Sequence, residues 1–274
     1  MVSQLFRKYR KRIMVGLLFF LILILILQLI VPYLYDHSQP VIADTSIRLL
    51  TYNVHDNDLT DIAPLLKKFN PDVIALQEID QDNPAINLTQ SLNELGEYLG
   101  IASVTFPAYS YETYGMAILS RFPSHSPVFR SFKTPSYTTP RGVLRVMIES
   151  PLGSIQVLTT HLNTPNFYIK RVQELDSILS HFEVTQNTVL MGDFNTPNSV
   201  LDVTYHRLLR NFEDSWVIAG NHPSFGKTYH VNFPFLRIDY IFVSADIAVI
   251  ADSAQLFGRS GPSDHLGLLV DIQP

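Results

Sequence analysis

The sequence contains no cysteine, and only 16% of its 274 residues are charged. Without cysteine the chain has no disulfide framework, no thiolate zinc site, no iron–sulfur cluster and no cysteine nucleophile. This absence does not identify a cellular compartment. Because 46% of the residues are hydrophobic, the chain is able to bury the core of one large domain or two small ones, which argues against disorder.

Positive charge is scarce except at the N-terminus. Five of the twenty Lys and Arg residues lie in positions 7–12, so residues 1–12 form a basic tail. From residue 41 onward, fifteen Lys and Arg stand against twenty-four Asp and Glu, a formal net charge of −9. Tight binding of a polyanion such as nucleic acid is favoured by a basic surface, and this composition does not supply one.

A long apolar run follows the basic tail. Residues 13–31 are interrupted only by Gly16 and Gln28, and their length matches a hydrocarbon core of about 30 Å. We expect a transmembrane helix over residues 13–35, which makes the lipid bilayer an expected partner. The alternative is a cleaved signal peptide, because residues 41–43 resemble a cleavage site, but the apolar run exceeds the roughly 7–15 residues typical of such peptides.

The basic residues also predict the topology. All five precede the apolar run, whereas only Arg48 lies within about 20 residues of its other end. Residues 1–12 are therefore expected to be a cytoplasmic tail and residues 36–45 a short tether. Residues 46–274 are expected to form an extracytoplasmic catalytic domain on a single-pass protein of the cell membrane.

Beyond the tether, strand patterns alternate with helical patterns. Helices are predicted over residues 59–69, 90–99 and 168–182. Strands are predicted over residues 47–52, 73–76, 101–105, 115–119, 143–149, 155–160, 188–191, 238–243, 247–251 and 266–272. Because hairpins connect some of these strands and helices connect others, the sequence predicts a mixed sheet, or two sheets packed face to face with helices outside.

Polar side chains that can perform chemistry stand next to many of the predicted strands. They are Asn53, Glu78, His161, Asp193, Asn195, Asp239, Asp264 and His265. Taken singly, each is typical of a turn, a loop charge or a structural histidine. Strands from one sandwich deliver their last side chains to one rim, so together these acids can act as oxygen ligands for Mg²⁺ or a similar ion.

The order of these residues resembles the endonuclease/exonuclease/phosphatase superfamily. The motifs are TYNVH at 51–55, LQE at 76–78, THL at 160–162, GDFN at 192–195, RIDYIF at 237–242 and SDH at 263–265. The resemblance covers residues 47–272 and implies a four-layer α/β sandwich of two mixed β-sheets. It also implies a hydrolase of phosphoesters that uses Mg²⁺, with Mn²⁺ or another divalent cation as the alternative.

The resemblance assigns metal and water roles to five positions. Glu78 matches the principal metal-binding carboxylate, with Asn53 beside it, and Asp264 matches another acid that faces the metal. Asp193 matches the acid that orients or deprotonates the attacking water. Asn195 matches the amide that holds the surroundings of this acid and a phosphate oxygen.

Other positions match groups around the phosphate. His265 matches an imidazole that meets the scissile phosphate, and Asp239 matches its carboxylate partner. His161 is similar to the histidine of the deoxyribonuclease I, sphingomyelinase and inositol-phosphatase branches, which disfavours abasic-site repair. Two weaker matches are Glu112, as the acid that partners this histidine, and Arg141, as an arginine that contacts phosphate.

The expected function is a membrane-anchored, metal-dependent phosphodiesterase that acts on nucleic acid or a phospholipid head group by in-line water attack. One alternative is a phosphatase of inositol phosphates or other phosphomonoesters, although residues 215–236 offer only Lys227 as a cation. Another is a non-catalytic scaffold on the same fold. An aromatic loop with Phe225, Tyr229, Phe233 and Phe235 either touches lipid or packs beneath the last strands. No protein partner follows from the sequence.

Protease added to intact cells tests the predicted topology. We expect the domain of the full-length chain to be cut there, because the five flanking positive charges keep the N-terminal tail in the cytoplasm. A domain that resists protease in intact cells, and is cut only after lysis, would show that the orientation is reversed.

Overall fold

The computed structural model describes residues 46–80, 87–106, 108–110, 114–132, 141–164, 168–199 and 201–273. The predicted tail, transmembrane helix and tether lie outside these residues, as does Glu112. Within the described ranges, no helix is long and apolar enough to cross a bilayer.

The described elements follow one another in a mixed order of strands and helices. The strands are β1 (Ile47–Asn53), β2 (Val73–Asp80), β3 (Ser103–Thr105), β4 (Ala108–Ser110), β5 (Tyr114–Ser120), β6 (Ser124–Ser131), β7 (Gly142–Ser150), β8 (Gly153–His161), β9 (Thr188–Asp193), β10 (Glu213–Asp214), β11 (Asp239–Val243), β12 (Ala248–Val249), β13 (Gln255–Phe257) and β14 (Gly267–Gln273). The helices are α1 (Leu59–Phe69), α2 (Leu88–Leu99), α3 (Tyr168–His181), α4 (Val203–Leu208) and α5 (Ser215–Ile218).

The strands of the described residues form two mixed sheets. The first has the order β12-β14-β1-β2-β5-β3, with β13 beside β14 and β4 beside β5. The second has the order β10-β11-β9-β8-β7-β6. One pair in each sheet is parallel, β1 with β2 and β8 with β9, and the other pairs are antiparallel.

Apolar side chains pack on both faces of each sheet. Successive residues of a strand point to opposite faces, so Leu49 joins a central cluster with residues of the second sheet, such as Val189. Its neighbour Leu50 instead packs in a cluster that contains residues of α1 and α2. A third cluster joins the second sheet to α3 and α4. Two mixed sheets with flanking helices therefore form the α/β sandwich that the sequence predicts.

The helix boundaries follow from local capping. The Asp58 side chain accepts a hydrogen bond from the Thr60 N–H at 2.8 Å, and Asn70 ends α1 with a left-handed φ of 48°. These bounds agree with the predicted 59–69. Helix α2 begins two residues before its predicted start because the Asn87 side chain caps it, and Gly100 caps its other end with a left-handed φ of 73°.

Two strand predictions differ from the structure in an informative way. Strand β2 continues four residues beyond the predicted 73–76, through a bulge between Leu76 and Ile79. Strand β6 was not predicted, because its sequence SHSPVFRS is mostly polar and lies largely exposed at an edge of the second sheet.

A buried ion pair joins the first and last long strands of the first sheet. Arg48 and Asp271 face each other across β1 and β14, and both side chains are 2% exposed. The guanidinium donates from Nε to Oδ1 at 2.7 Å and from Nη2 to Oδ2 at 2.8 Å. Its Nη1 donates to the Phe69 carbonyl at 2.9 Å, which also fixes the end of α1. Such a pair is costly to break, because one buried charge would stay unpaired.

Asp271→Asn should therefore lower the free energy of unfolding by about 3–5 kcal/mol. Denaturant unfolding followed by the fluorescence of Trp216, the only tryptophan of the chain, measures this change. The matched control is Asp176→Asn, which breaks the exposed ion pair with Arg207 and should cost at most about 1 kcal/mol. Equal effects of the two substitutions would show that the buried pair does not hold the sheet together.

Candidate active site

Strands of both sheets end at one rim and bring polar side chains together there. His161 and Asp193 are the last residues of β8 and β9 and are paired in register. Asp239, the first residue of β11, is paired with Asp193 on its other side. The first sheet contributes Asn53 at the end of β1, whose Nδ2 donates to Asp193 Oδ2 at 3.0 Å. The two sheets therefore meet at this site.

A bulge directs Glu78 toward the same place. Glu78 has a left-handed φ of 52°, which costs a non-glycine residue about 1–2 kcal/mol, and it lies within the bulge of β2. Its Oε1 accepts a hydrogen bond from Asn53 Nδ2 at 3.0 Å and lies 3.5 Å from His161 Nε2. The departure from regular strand geometry thus places the carboxylate beside the other site residues.

The Asp193 carboxylate lies at the centre of the cluster and is 1% exposed. Besides Asn53, its Oδ2 lies 3.3 Å from His161 Nε2 and 3.9 Å from His265 Nε2. Its Oδ1 accepts the Asn195 backbone N–H at 2.8 Å. Burial, and next the negative charge of Asp239, raise the pKa of Asp193 to about 7. An acid with this pKa is suited to accept a proton near neutral pH.

His265 forms the contact with Asp239 that the sequence predicts. Its Nδ1 donates to Asp239 Oδ2 at 2.9 Å, and its backbone N–H donates to Ser263 Oγ, which in turn donates to the Asn53 carbonyl. Burial favours the neutral ring, but the charge and hydrogen bond of Asp239 outweigh it and raise the pKa of His265 to about 10. His265 therefore carries a positive charge at neutral pH.

His161 has the opposite electrostatic surroundings. Burial, followed by the positive charges of Arg141 and His265, lowers its pKa well below the usual value. Arg141 Nη1 donates to His161 Nδ1 at 3.1 Å, and Asn195 Nδ2 lies 3.1 Å from His161 Nε2. Burial and the two neighbouring positive charges therefore favour the neutral form of the ring.

The acids around the rim form a donor set that fits a divalent cation. Glu78, His161 and Asp193 offer ligand atoms within 4.8 Å of one another, and so do Asp193, Asp239 and His265. Asp264 belongs to neither group, but its buried Oδ1 accepts no hydrogen bond from the described residues. Asp239 Oδ1 is the second such carboxylate oxygen. Buried carboxylate oxygens without a hydrogen-bond donor favour a nearby positive charge, and hard oxygen ligands suit Mg²⁺ or Mn²⁺.

Asn53 is oriented differently from a metal ligand in this structure. Its Nδ2 donates to Glu78 and Asp193, and its Oδ1 accepts the His55 backbone N–H at 3.0 Å. A metal ion is coordinated by the amide oxygen rather than the nitrogen. Its predicted place in the metal shell therefore stays a prediction, although it lies beside Glu78 as expected.

The two weaker predictions have different outcomes. Glu112 lies outside the described residues. Arg141 lies at the site, where its Nη1 atom contacts Nδ1 of His161. Its side chain is buried, at 7% exposure, so its predicted contact with phosphate stays a prediction.

Two further residues lie at the site: His55 received no role from the sequence, and Tyr229 was predicted only as part of the aromatic loop. His55 Nδ1 lies 3.5 Å from both Glu78 Oε2 and Asp264 Oδ1, and the ring is half exposed. The Tyr229 ring lies 5.0 Å from the His265 ring, centroid to centroid. The position of His55 at the end of the TYNVH motif could have predicted its place at the site. The contact of Tyr229 with His265 forms only in the tertiary structure.

Comparisons with known proteins concern the family and the fold of the chain. The sequence model described as "Endonuclease/Exonuclease/phosphatase family" matches residues 50–265. Similar solved structures include an endonuclease/exonuclease/phosphatase from Beutenbergia cavernae, with 24% identity, a TM-score of 0.69, and coverage of 84% of this chain and 72% of that chain. A family protein from Leptotrichia buccalis has 23% identity, a TM-score of 0.66, and coverage of 83% and 100%.

A third similar structure contains nucleic acid. TDP2 from D. rerio, complexed with a single strand DNA product, has 21% identity, a TM-score of 0.63, and coverage of 84% of this chain and 100% of that chain. Identities this low show the shared fold alone. No curated protein matches the sequence.

Glu78→Gln should weaken binding of a divalent cation at least about 10-fold, because the substitution removes a charged oxygen ligand without changing the size of the side chain. Calorimetric titration with Mn²⁺ measures the affinity. The control Glu149→Gln removes an exposed acid that pairs with His125 and should leave the affinity unchanged. A folded Glu78→Gln variant with the affinity of the unmodified chain would place the ion elsewhere.

Proposed function

The chain belongs to the endonuclease/exonuclease/phosphatase family, and on this premise we propose that it is a membrane-anchored, divalent-metal-dependent phosphodiesterase. Members of this family are typically metal-dependent phosphoester hydrolases. The single observation that carries the proposal is the approach of two imidazoles of opposite charge preference to one buried carboxylate. Asp193 Oδ2 lies 3.3 Å from His161 Nε2 and 3.9 Å from His265 Nε2.

Asp193, His265 and Asn195 have different roles in the proposed in-line attack of water on a phosphoester. Asp193 accepts the proton of the water, since burial and Asp239 hold its pKa near neutrality. Positively charged His265 neutralises the charge that develops on the phosphoryl oxygens. Asn195 holds Asp193 in place through its backbone N–H. The attack needs no covalent intermediate on the protein.

Glu78 and Asp264 are the proposed principal ligands of the cation, with the amide oxygen of Asn53 as a third. When bound, a divalent cation supplies Lewis acidity that polarises the phosphoryl group. Mg²⁺ fits the oxygen-rich donor set, and Mn²⁺ or another divalent cation is the alternative.

The surface beside the site bears on the substrate. Phe225, Phe233 and Phe235 are 54%, 44% and 54% exposed, which argues against their packing beneath the last strands. Tyr229 of the same segment packs between His265 and Phe235, with ring centroids 5.0 and 6.2 Å away. Phe235 is thus connected to the site through Tyr229. An apolar ring there favours a phosphodiester that carries or borders an apolar group, such as a phospholipid head group in a membrane.

Nucleic acid is the second candidate substrate. Aromatic rings also stack on unpaired bases, and the similar D. rerio TDP2 structure contains single-stranded DNA. The net charge of −9 from residue 41 onward opposes tight binding of a polyanion. The same acidic charge, together with Lys227 as the only Lys or Arg of residues 215–236, disfavours the phosphatase of inositol phosphates.

Membrane anchoring rests on the sequence. The apolar run at 13–31 and its basic flank support a span over 13–35 with the catalytic domain outside the cytoplasm. A tether of residues 36–45 spans at most about 35 Å when extended. The domain would therefore act on substrates close to the extracytoplasmic surface of the cell membrane.

A substrate panel tests the proposed activity. The full-length chain in detergent micelles with Mg²⁺ should hydrolyse a chromogenic phosphodiester and, in addition, either sphingomyelin or single-stranded DNA. The panel also contains duplex DNA, RNA and phosphatidylinositol phosphates. Hydrolysis restricted to phosphomonoesters would favour the phosphatase, and the absence of any hydrolysis would favour the scaffold.

His265→Ala should reduce the turnover of the chromogenic phosphodiester about 100-fold or more, because it removes the charged group that faces the phosphate. Steady-state kinetics measure the change, and thermal unfolding checks the fold. The matched control is His125→Ala, which removes a half-exposed histidine paired with Glu149 and should leave turnover unchanged. Turnover that persists in the His265→Ala variant would contradict the proposed role.

A further inference from the structure

Residues 215–236 differ in charge from the rest of the domain. They contain no Asp or Glu, although the chain from residue 41 onward carries a formal net charge of −9. Ten large hydrophobic side chains are exposed in the described ranges, and half of them lie in this segment: Val217, Ile218, Phe225, Phe233 and Phe235. Exposed apolar side chains that are grouped in this way mark a surface for a protein, a ligand or a membrane.

Residues 228–236 of this segment form a tight hairpin, the aromatic hairpin. The Phe233 N–H donates to the His230 carbonyl at 2.9 Å and closes the turn. The Phe235 N–H donates to the Tyr229 carbonyl at 2.9 Å and pairs the two arms. Rings that are already held on an ordered hairpin lose little conformational freedom when they bind a partner.

The aromatic hairpin is hydrogen-bonded to the segment that carries Asp264 and His265. The Val231 N–H donates to the Asp264 carbonyl at 2.7 Å. In the opposite direction, the Leu266 N–H donates to the Thr228 carbonyl at 2.7 Å. Two short backbone hydrogen bonds therefore fix the hairpin to the rim of the candidate site.

Thr228 also joins the aromatic hairpin to the start of β11. Its buried hydroxyl oxygen accepts the N–H groups of Ile238 and Asp239, each at 3.3 Å. The Tyr229 ring packs against the His265 ring on the other side. A surface that binds the hairpin is therefore held close to Asp239 and His265.

The chain before the domain argues for a bilayer as the partner of this surface. The predicted span ends at residue 35 and the described domain begins at residue 46, and the tether between them spans at most about 35 Å. Lipid head groups carry phosphates, so a segment without acids approaches them with less repulsion than the remaining acidic surface. Nucleic acid would instead favour a basic surface, and Lys227 is the only Lys or Arg of residues 215–236.

We propose that the aromatic hairpin docks in the head-group region of a phospholipid bilayer through Phe233 and Phe235. The docked hairpin holds Asp264 and His265 at the level of the lipid phosphates. Docking is a property of the protein that does not require hydrolysis. Its consequence, that the site receives phospholipids in the plane of the membrane, rests on the proposed function.

Fluorescence quenching in nanodiscs tests the docking. Phe233→Trp adds an indole at the turn, and the buried Trp216 is the only tryptophan of the unmodified chain. The full-length variant is placed in nanodiscs of phosphatidylcholine that is brominated near the head-group end of its acyl chains. The added emission should fall by about half or more, because interfacial apolar side chains lie roughly 5–10 Å deep, at the boundary of head groups and acyl chains. The control Tyr98→Trp, at an exposed position of α2, should show no quenching.

Two results of this measurement would overturn the proposal. One is an indole at position 233 that brominated lipid quenches no more than the indole at position 98. The other is quenching at position 233 by single-stranded DNA but not by brominated lipid, which would assign the rings to base stacking. Both readouts are independent of enzymatic activity.

Phe233→Ser tests the consequence for the substrate. The substitution should lower the ratio of sphingomyelin hydrolysis in nanodiscs to hydrolysis of the soluble chromogenic phosphodiester about 10-fold, because it removes one apolar ring from the bilayer contact. The matched control Leu209→Ser removes an exposed apolar side chain at the end of α4 and should leave the ratio unchanged.

Equal losses with both substrates in the Phe233→Ser variant would show that the ring acts at the site rather than on the bilayer, which overturns the proposal. Hydrolysis of the soluble diester by the unmodified chain, without hydrolysis of any lipid in nanodiscs, would overturn the inferred presentation of phospholipids. A chain that hydrolyses neither substrate would contradict the proposed function alone, since the quenching measurement decides the docking.

Discussion

Asp193 is buried at the end of β9, and nitrogen atoms from four separate segments of the chain surround its carboxylate. Asn53, His161, Asn195 and His265 each place a side-chain nitrogen within 3.9 Å of Oδ2. A buried carboxylate is costly without such partners, so its burial constrains the ends of both sheets. The same burial raises its pKa to about 7. The burial that constrains the fold therefore also gives Asp193 a pKa suited to proton transfer near neutral pH.

The site depends on the two sheets meeting at one edge. Each sheet supplies one parallel strand pair, β1 with β2 and β8 with β9, and the last residues of such neighbours lie side by side. Charged neighbours then shift the pKa values of the two histidines in opposite directions. Asp239 raises the pKa of His265 to about 10, while Arg141 adds to the effect of burial in lowering the pKa of His161. Two identical side chains thus acquire different roles.

Much of this arrangement follows from sequence, because strand periodicity and local capping are short-range effects. The bounds of α1 and the placement of Asn53, His161 and Asp193 at strand ends are of this kind. The bulge that turns Glu78 toward the rim is not, since it depends on pairing with β5. The contact of Tyr229 with His265 does not follow from sequence either, because the two rings meet only when distant segments pack. The contact of Arg141 with His161 depends on the side-chain conformation at the open end of the hairpin of β7 and β8. Strand β6 was missed because its polar sequence lacks the alternation that marks a half-buried strand.

The most direct test of a single phosphate site between the two imidazoles is a crystal structure of the chain with Mn²⁺ and inorganic phosphate. The geometry predicts phosphate oxygens within hydrogen-bond distance of Nε2 of both His161 and His265, and anomalous scattering from an ion on Glu78. Phosphate bound away from either ring, or an ion that does not contact Glu78, would contradict the account.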